Sequence, residues 1–168
     1  MTEKLANGLK DIVVIKLMKF LEKAIDLSRE NIISNKGGPF GCVIVKDDKI
    51  ISTGVNSVVR DNDPTAHAEI NAIRKACKNL ETFDLSGCFL YSSCQPCPMC
   101  YSAIKWSNIK NIYYANTRYD AEKIGFNDNH IYELLETMKT QNDMIHIPSK
   151  SALDVFELWT KDEKNISY

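Results

Sequence analysis

The sequence has no excess of charge of either sign and no long apolar run. Its 168 residues contain 21 Lys and Arg against 22 Asp and Glu, which gives a net charge of −1. This balance excludes a broad basic face for nucleic-acid phosphates, although a local basic groove stays open. No apolar stretch approaches the roughly 20 residues that a membrane-spanning helix needs. We therefore expect no membrane partner and no general role in nucleic-acid binding.

An export signal and a disulfide framework are also missing. The most apolar stretch near the N-terminus, residues 12–21, is interrupted by two lysines, and no small-residue cleavage site follows it. Six cysteines are too few for a disulfide scaffold in this length, and Cys94, Cys97 and Cys100 lie within seven positions. Such clustering is typical of metal binding in a reducing compartment. The sequence thus predicts a cytoplasmic protein with a metal site.

No repeat, low-complexity segment or linker divides the chain, so we expect one domain over residues 1–168. Apolar spacing predicts helices at about 11–35, 66–80, 98–107, 120–123, 130–139 and 151–161, and strands at 40–46, 49–54, 88–92 and 109–115. The first two strands form a hairpin, and later strands alternate with helices. This order predicts an α/β fold, a three-layer α/β/α sandwich around one mixed sheet.

Two short segments, 65–69 and 94–100, concentrate metal-ligand chemistry. One imidazole, His67, and two thiolates, Cys97 and Cys100, provide three ligands and leave the fourth tetrahedral position of Zn²⁺ open for water. An open position distinguishes a catalytic zinc site from a structural one. In the first turn of a helix, Glu69 projects towards the same metal as His67 and is the nearest candidate to shuttle the proton of that water.

The spacing of these residues is specific, but it leaves alternatives. A His-x-Glu followed 30 residues later by Pro-Cys-x-x-Cys is the signature of zinc deaminases of nucleobases. One alternative is a structural zinc knuckle that adds Cys94 as a fourth ligand. It leaves Glu69 without a role and closes the open position. Another alternative exchanges Cys94 for Cys97 or Cys100, which fits the Pro-Cys spacing less well.

The zinc motif and several segments around it match a known family. They are residues 37–41, 43–47, 62–69, 72–74 and 93–100, followed by 103–106, 113–115, 120–121, 125–132 and the terminal Tyr168. The first group resembles the cytidine-deaminase superfamily. The second group is similar to its bacterial-type guanine deaminase branch. Residues up to about 11 have no counterpart, and Asn127 stands where the branch usually has the first of two Asp.

The resemblance implies a cytidine-deaminase-like fold with a mixed five-stranded sheet and one Zn²⁺ per subunit on His67, Cys97 and Cys100. Glu69 would be the proton shuttle and Asp128 a second acid near the departing amino group. It also implies substrate contacts, which would come from Phe40, Asn56, His67, Ala68, Trp106 and Tyr168. The branch forms dimers that exchange their C-terminal segments, so residues from about 140 to 168 would pass to a partner and Tyr168 would close its pocket.

Several of these residues also have ordinary structural interpretations. Phe40 and Trp106 fit core aromatics, Asn56 a turn and Asp128 a helix N-cap. Tyr168 fits a frayed chain end.

The resemblance implies hydrolysis of guanine, a small-molecule nucleobase, to xanthine and ammonia. The same zinc chemistry would serve guanosine, cytosine or an aminotriazine. A tRNA adenosine deaminase shares the motif, although the net charge of −1 disfavours that partner. A zinc-stabilised interaction module without catalysis is the fourth possibility.

Overall fold

The computed structural model describes residues 2–137 and 146–161 of the chain. Contacts between residues divide the chain into two compact units, Met1–Asp128 and Asn129–Tyr168. The single domain over 1–168 stays a prediction. Among the described residues, no helix is both long and apolar enough to cross a membrane.

The first unit contains all the strands of the described chain. Its elements are α1 (Thr2–Ile33), β1 (Gly41–Lys46), β2 (Lys49–Val55), α2 (Val58–Asp61), α3 (Ala68–Leu80), β3 (Phe89–Cys94), α4 (Pro98–Trp106), β4 (Asn111–Asn116) and α5 (Arg118–Glu122). The hairpin and the alternation that follows it agree with the sequence analysis, whereas the short helix α2 was not predicted. Helix α1 begins nine residues before its predicted start. Glu3, Lys4, Leu5 and Ala6 have high helix propensity, which apolar spacing alone does not detect.

One mixed sheet forms the middle of this unit. The strand order is β2-β1-β3-β4. Strand β1 pairs antiparallel with both β2 and β3, and β3 pairs parallel with β4. The α/β class and the mixed sheet are therefore confirmed, but the sheet has four strands in the described residues and not five. The difference arises after β4, where the described chain forms only helices.

The two faces of the sheet bury different helices because successive side chains of a strand point to opposite sides. On one face, Val43 and Val45 pack with Phe20 and Ala24 of α1. On the other face, Ile44 lies in a cluster with side chains of α3 and α4. Helix α1 thus forms one outer layer, while α3 and α4 form the other.

The second unit contains α6 (Asn129–Thr137) and α7 (Lys150–Lys161). Both helices have their apolar residues at helical spacing, as the sequence predicts. In α7 the large apolar side chains are exposed; they are Leu153, Val155, Phe156, Leu158 and Trp159.

Candidate active site

Two helix N-termini carry the predicted metal ligands. His67 is the N-cap of α3, with extended backbone angles of φ −72° and ψ 160°. Cys97 is the N-cap of α4 at φ −67° and ψ 169°, and Pro98 occupies the first helical position. Proline is favoured there because that position has no intrahelical amide bond to lose. Cys100 follows in the first turn of α4, so all three side chains start from helix ends.

The donor atoms of these residues lie close together. Nδ1 of His67 is 3.6 Å from Sγ of Cys97 and 3.5 Å from Sγ of Cys100. All three donor atoms lie within 4.8 Å of one another. In a tetrahedral zinc site, ordinary Zn–N and Zn–S bond lengths place nitrogen and sulfur ligands about 3.6 Å apart. The three residues therefore fit Zn²⁺ with one position left for another ligand.

Cys94 lies outside this group. It ends β3, and its Sγ is 3.6 Å from the backbone oxygen of Thr117. Burial raises the pKa of the Cys94 thiol to about 11, which favours the neutral form over the thiolate that a metal needs. Among the described residues, the group of potential ligands is thus His67, Cys97 and Cys100 without a fourth cysteine.

The thiols of Cys97 and Cys100 have opposite ionisation tendencies. The hydrogen bond from Cys100, followed by that from His67, lowers the pKa of Cys97 to about 4 against the opposing effect of burial. The same bond to Cys97, together with burial, raises the pKa of Cys100. The hydrogen bond to Cys97 also raises the pKa of His67. The positive end of the α4 dipole stabilises negative charge on sulfur, and a deprotonated thiol is the form that binds a divalent cation.

Glu69 lies in the first turn of α3 and is only 6% exposed. Its Oε1 accepts a hydrogen bond of 3.0 Å from Oγ of Ser92 on β3. Burial raises the pKa of Glu69, although the bond from Ser92 acts in the opposite direction. A buried carboxyl group whose pKa is raised above its usual value is suited to take up a proton and deliver it again.

Ser92 is a contact that the sequence analysis missed. The signal was available in β3, where Leu90, Ser92 and Cys94 share one face by strand alternation. Leu90 on that face packs with side chains of α3. A serine at the next position of the same face therefore points at the first turn of α3, where Glu69 lies.

A close approach between β2 and α3 sets the position of the helix start. A Cβ on Gly54 would lie 2.0 Å from the backbone oxygen of Ala68, so only glycine fits. Asn71 adds a link, since its Nδ2 lies 2.9 Å from the Val55 oxygen and 3.3 Å from the Ala66 oxygen. Ala68 itself, one of the predicted base contacts, is fully buried. Its role towards a base stays a prediction.

The structure brings Phe40 and Asn56 together. The backbone nitrogen of Asn56 donates to the oxygen of Phe40 at 3.1 Å. The side-chain Oδ1 of Asn56 accepts from the Gly38 nitrogen at 3.3 Å. The ring of Phe40 meets the ring of Phe126 edge to face, with centroids 4.9 Å apart. Phe126 was not singled out from the sequence; it lies in the segment 125–132 that carries the family resemblance.

Asp128 and Asn127 occupy the two positions where the family usually has two Asp, and their surroundings differ. The charge of Asp128 is the smallest of the effects that raise the pKa of His67, after the hydrogen bond to Cys97 and the charges of Cys97 and Glu69. Asn127 is exposed, and its Nδ2 donates to Oε1 of Glu122 at 3.1 Å. The role of Asp128 as the second acid stays a prediction.

In the described residues, two of the predicted base contacts are not found beside the three donor residues. Trp106 is 66% exposed and ends α4, six residues after Cys100, which corresponds to about 9 Å along a helix. Tyr168 lies outside the described residues. Both roles stay predictions.

Comparison with known proteins identifies the family. The model of the cytidine and deoxycytidylate deaminase zinc-binding region matches residues 15–116, more than half of the chain.

The chain belongs to this family.

Two relatives are similar over most of their length. The chain is 51% identical to guanine deaminase of Bacillus subtilis over 142 residues, which are 83% of this chain and 91% of the relative. The X-ray structure of that enzyme has a TM-score of 0.84 and 42% identity, and the match covers 90% of this chain and 98% of the other. The tRNA-specific adenosine deaminase of Haemophilus influenzae is 34% identical over 134 residues, 76% of each chain.

Membership in this deaminase family confirms the resemblance that the sequence motifs predicted. It also confirms the zinc cofactor and the class of zinc-dependent hydrolase, because the family is defined by its zinc-binding region and the structure contains a His-Cys-Cys group. The non-catalytic zinc module does not fit these findings.

Proposed function

We propose that this protein catalyses the hydrolytic deamination of guanine to xanthine and ammonia. The observation that carries the proposal is the similarity to Bacillus subtilis guanine deaminase, which extends over 98% of that structure and well beyond the zinc-binding region. The three-donor group and the buried Glu69 supply the chemistry that such a reaction needs.

His67, Cys97 and Cys100 would hold Zn²⁺, which would supply a Lewis acid that lowers the pKa of the attacking water. Glu69 takes a proton from the attacking water and gives it to a ring nitrogen as the oxygen adds to C2 of guanine. Ser92 keeps Oε1 of Glu69 in place for both transfers. The hydroxyl now on C2 then gives its proton to Glu69 as the C2 carbonyl forms. This proton passes, from Glu69 directly or through Asp128, to the exocyclic nitrogen; the bond between C2 and that nitrogen breaks, and ammonia leaves.

Binding of the base is assigned to the residues around the first strand. Phe40 packs against one side of the purine, and Asn56 donates a hydrogen bond to its edge. His67 and Ala68 contribute contacts at the start of α3, and Trp106 packs nearby. Tyr168 closes the pocket of the partner subunit. Support for Phe40 and Asn56 comes from the backbone bond that joins them.

The active form in this proposal is a cytoplasmic homodimer, acting in purine metabolism, whose subunits exchange residues from about 140 to 168. The exposed apolar side chains of α7 support this dimer, because a partner subunit would cover them. Clustered cysteines without a disulfide framework support a reducing compartment.

The test is ammonia release by the zinc-loaded protein offered guanine, with guanosine, cytosine, adenosine and an aminotriazine in parallel. We expect rapid turnover of guanine and little of the others. Turnover of another base without turnover of guanine would overturn the substrate while leaving the zinc chemistry.

A second candidate, deamination of adenosine in tRNA, is favoured by the similarity to the Haemophilus influenzae enzyme. The net charge of −1 argues against it. A tRNA arm of the same assay decides between them, because binding through phosphates would weaken steeply as salt is raised. Inosine formation in tRNA with that salt dependence would favour the second candidate.

A further inference from the structure

We propose that Asn31 is a positioning residue that sets the affinity for the base from the layer opposite the zinc ligands. It belongs to α1, which packs on one face of the sheet, whereas α3 and α4 pack on the other. The inference rests on the proposed function, in which Asn56 binds the edge of the purine.

The side chain of Asn31 joins two segments that are far apart in sequence. It is only 3% exposed, and its Nδ2 donates to the oxygen of Gly38 at 2.9 Å and to the oxygen of Asn56 at 2.9 Å. An amide nitrogen has two hydrogens, so each carbonyl receives one. One buried side chain thus fixes the loop before β1 to the residue that follows β2.

The loop fits this side chain closely. A Cβ on Gly37 would lie 2.1 Å from the Asn56 oxygen and 2.9 Å from Nδ2 of Asn31. Glycine at this position therefore lets the loop, the amide of Asn31 and the carbonyl of Asn56 meet. The Gly38 oxygen also accepts from the Phe40 nitrogen at 2.8 Å, so the same contact reaches the aromatic side of the pocket.

The orientation of the Asn56 side chain depends on the same loop. Its Oδ1 accepts from the Gly38 nitrogen, which leaves Nδ2 as the end that donates to a ligand. The edge of guanine presents acceptors at O6 and N7, and such acceptors require a donor. When Asn31 no longer holds the Gly38 peptide, Asn56 loses the contact that aims its donor.

The residues proposed for the reaction are held in place by other contacts. Glu69 is bonded by Ser92, and the start of α3 is linked to β2 by Asn71. Neither contact passes through Asn31. Loss of Asn31 should therefore weaken base binding while the bond-making step continues in the bound complex.

The experiment compares Asn31→Ala with Asn79→Ala in steady-state guanine deamination. Asn79 is the control because its Nδ2 also donates to a backbone carbonyl, that of Ile51 at 2.8 Å, which lies in β2 away from Asn56. We expect Asn31→Ala to raise KM about 10-fold, the effect of one misplaced hydrogen bond, with kcat changed less than about 3-fold. Zinc content and the kinetics of Asn79→Ala should match the unaltered protein.

Asn56→Ala, measured in parallel, separates the two levels of the proposal. If it raises KM and Asn31→Ala does not, the inference is wrong and the proposed pocket stands. If Asn56→Ala leaves KM unchanged, the base contact in the proposed function is wrong and the inference falls with it. Should Asn31→Ala fail to fold, Asn31→Leu keeps a side chain of similar shape and removes both donors. A raised KM in that variant supports the positioning role, and an unchanged KM rejects it.

Discussion

The two compact units differ in what covers their apolar side chains. In the first unit, Leu90 and Ile104 are completely buried between the sheet and its helices. In the second unit, Leu153 is 61% exposed and Phe156 is 71% exposed. Both units show regular apolar spacing, so periodicity predicts that an element forms and which of its faces is apolar. It does not identify the surface that buries that face.

The residues proposed for the chemistry and the residue proposed to close the pocket belong to different units. The three donor residues and Glu69 lie in the first unit, where the core fixes the helices that carry them. Tyr168 belongs to the second unit. In the proposed function, the residues of the first unit determine the rate of the reaction, and those of the second unit determine the access of substrates and the association of subunits.

The largest effect is expected for Glu69→Gln, which keeps the size of the side chain but removes the group that accepts a proton. We expect kcat for guanine to fall by about 10²–10⁴, the usual contribution of a general acid–base, with zinc content unchanged. Glu157→Gln in α7 is the matched control, since Glu157 is an exposed glutamate of the second unit. Full turnover by Glu69→Gln would show that Glu69 does not transfer the proton.

The second prediction compares two leucines of the same size, Leu90 and Leu153. Leu90→Ala should lower the free energy of unfolding by about 3 kcal/mol at every protein concentration, because it opens a cavity in the core. Leu153→Ala should cost less than about 0.5 kcal/mol in dilute protein, as is usual for exposed positions. In concentrated protein it should cost more, because association buries α7 in the proposed dimer.

Urea unfolding at several protein concentrations measures both variants. A cost for Leu153→Ala that equals that for Leu90→Ala and is independent of concentration would break the comparison between the units. It would mean that the chain itself covers α7.

A smaller effect is expected when Tyr168 is deleted. If the second unit only closes the pocket, KM for guanine should rise about 10-fold, comparable to the loss of one packing contact in a binding pocket. Guanosine, which needs room for a ribose, should become a better substrate relative to guanine. The kinetic constants for both compounds provide the measurement. A collapse of kcat similar to that of Glu69→Gln would instead place part of the chemistry in the second unit.

The sequence was sufficient for the parts of the site that are set by local spacing. His67 is the N-cap of α3 and Glu69 lies in its first turn, and Cys97 and Cys100 are placed in the same way at α4. The motif itself therefore positions each pair. The pairing of these two helix ends followed from the ligand count of zinc. The predicted bounds of α4 and of the hairpin were correct to within a residue or so for the same reason.

Contacts between distant segments were not predictable in this way. Ser92 reaches Glu69 across 23 positions, and Asn31 reaches Asn56 across 25. Each of these two contacts depends on how a helix packs on the sheet. A single polar residue in an apolar pattern indicates that a buried polar contact exists, but it does not identify the partner. The close approach of Gly54 to Ala68 is similar, because a glycine in a strand indicates crowding without naming the neighbour.

The smallest predicted effect lies in α5, a short helix of the first unit that has no buried residue. Its first turn is held by a capping box, in which Asp120 accepts from the Thr117 nitrogen at 3.0 Å and Thr117 Oγ1 accepts from the Asp120 nitrogen at 3.3 Å. Bonds from Thr117, first from its side chain and then from its backbone, lower the pKa of Asp120 from 3.8 to about 2. Because the folded form has the lower pKa, the stabilisation is complete above about pH 4 and is lost as the pH falls towards 2.

Asp120→Asn should remove this pH dependence. In the unaltered protein, the hydrogen-exchange protection of the α5 amides should decline between pH 4 and pH 2, and in the variant it should start lower and change less. Equal declines in both proteins would show that Asp120 does not control the cap. The expected result would show that part of the first unit is stabilised by capping alone, so that the contrast between the units concerns the core and not every helix.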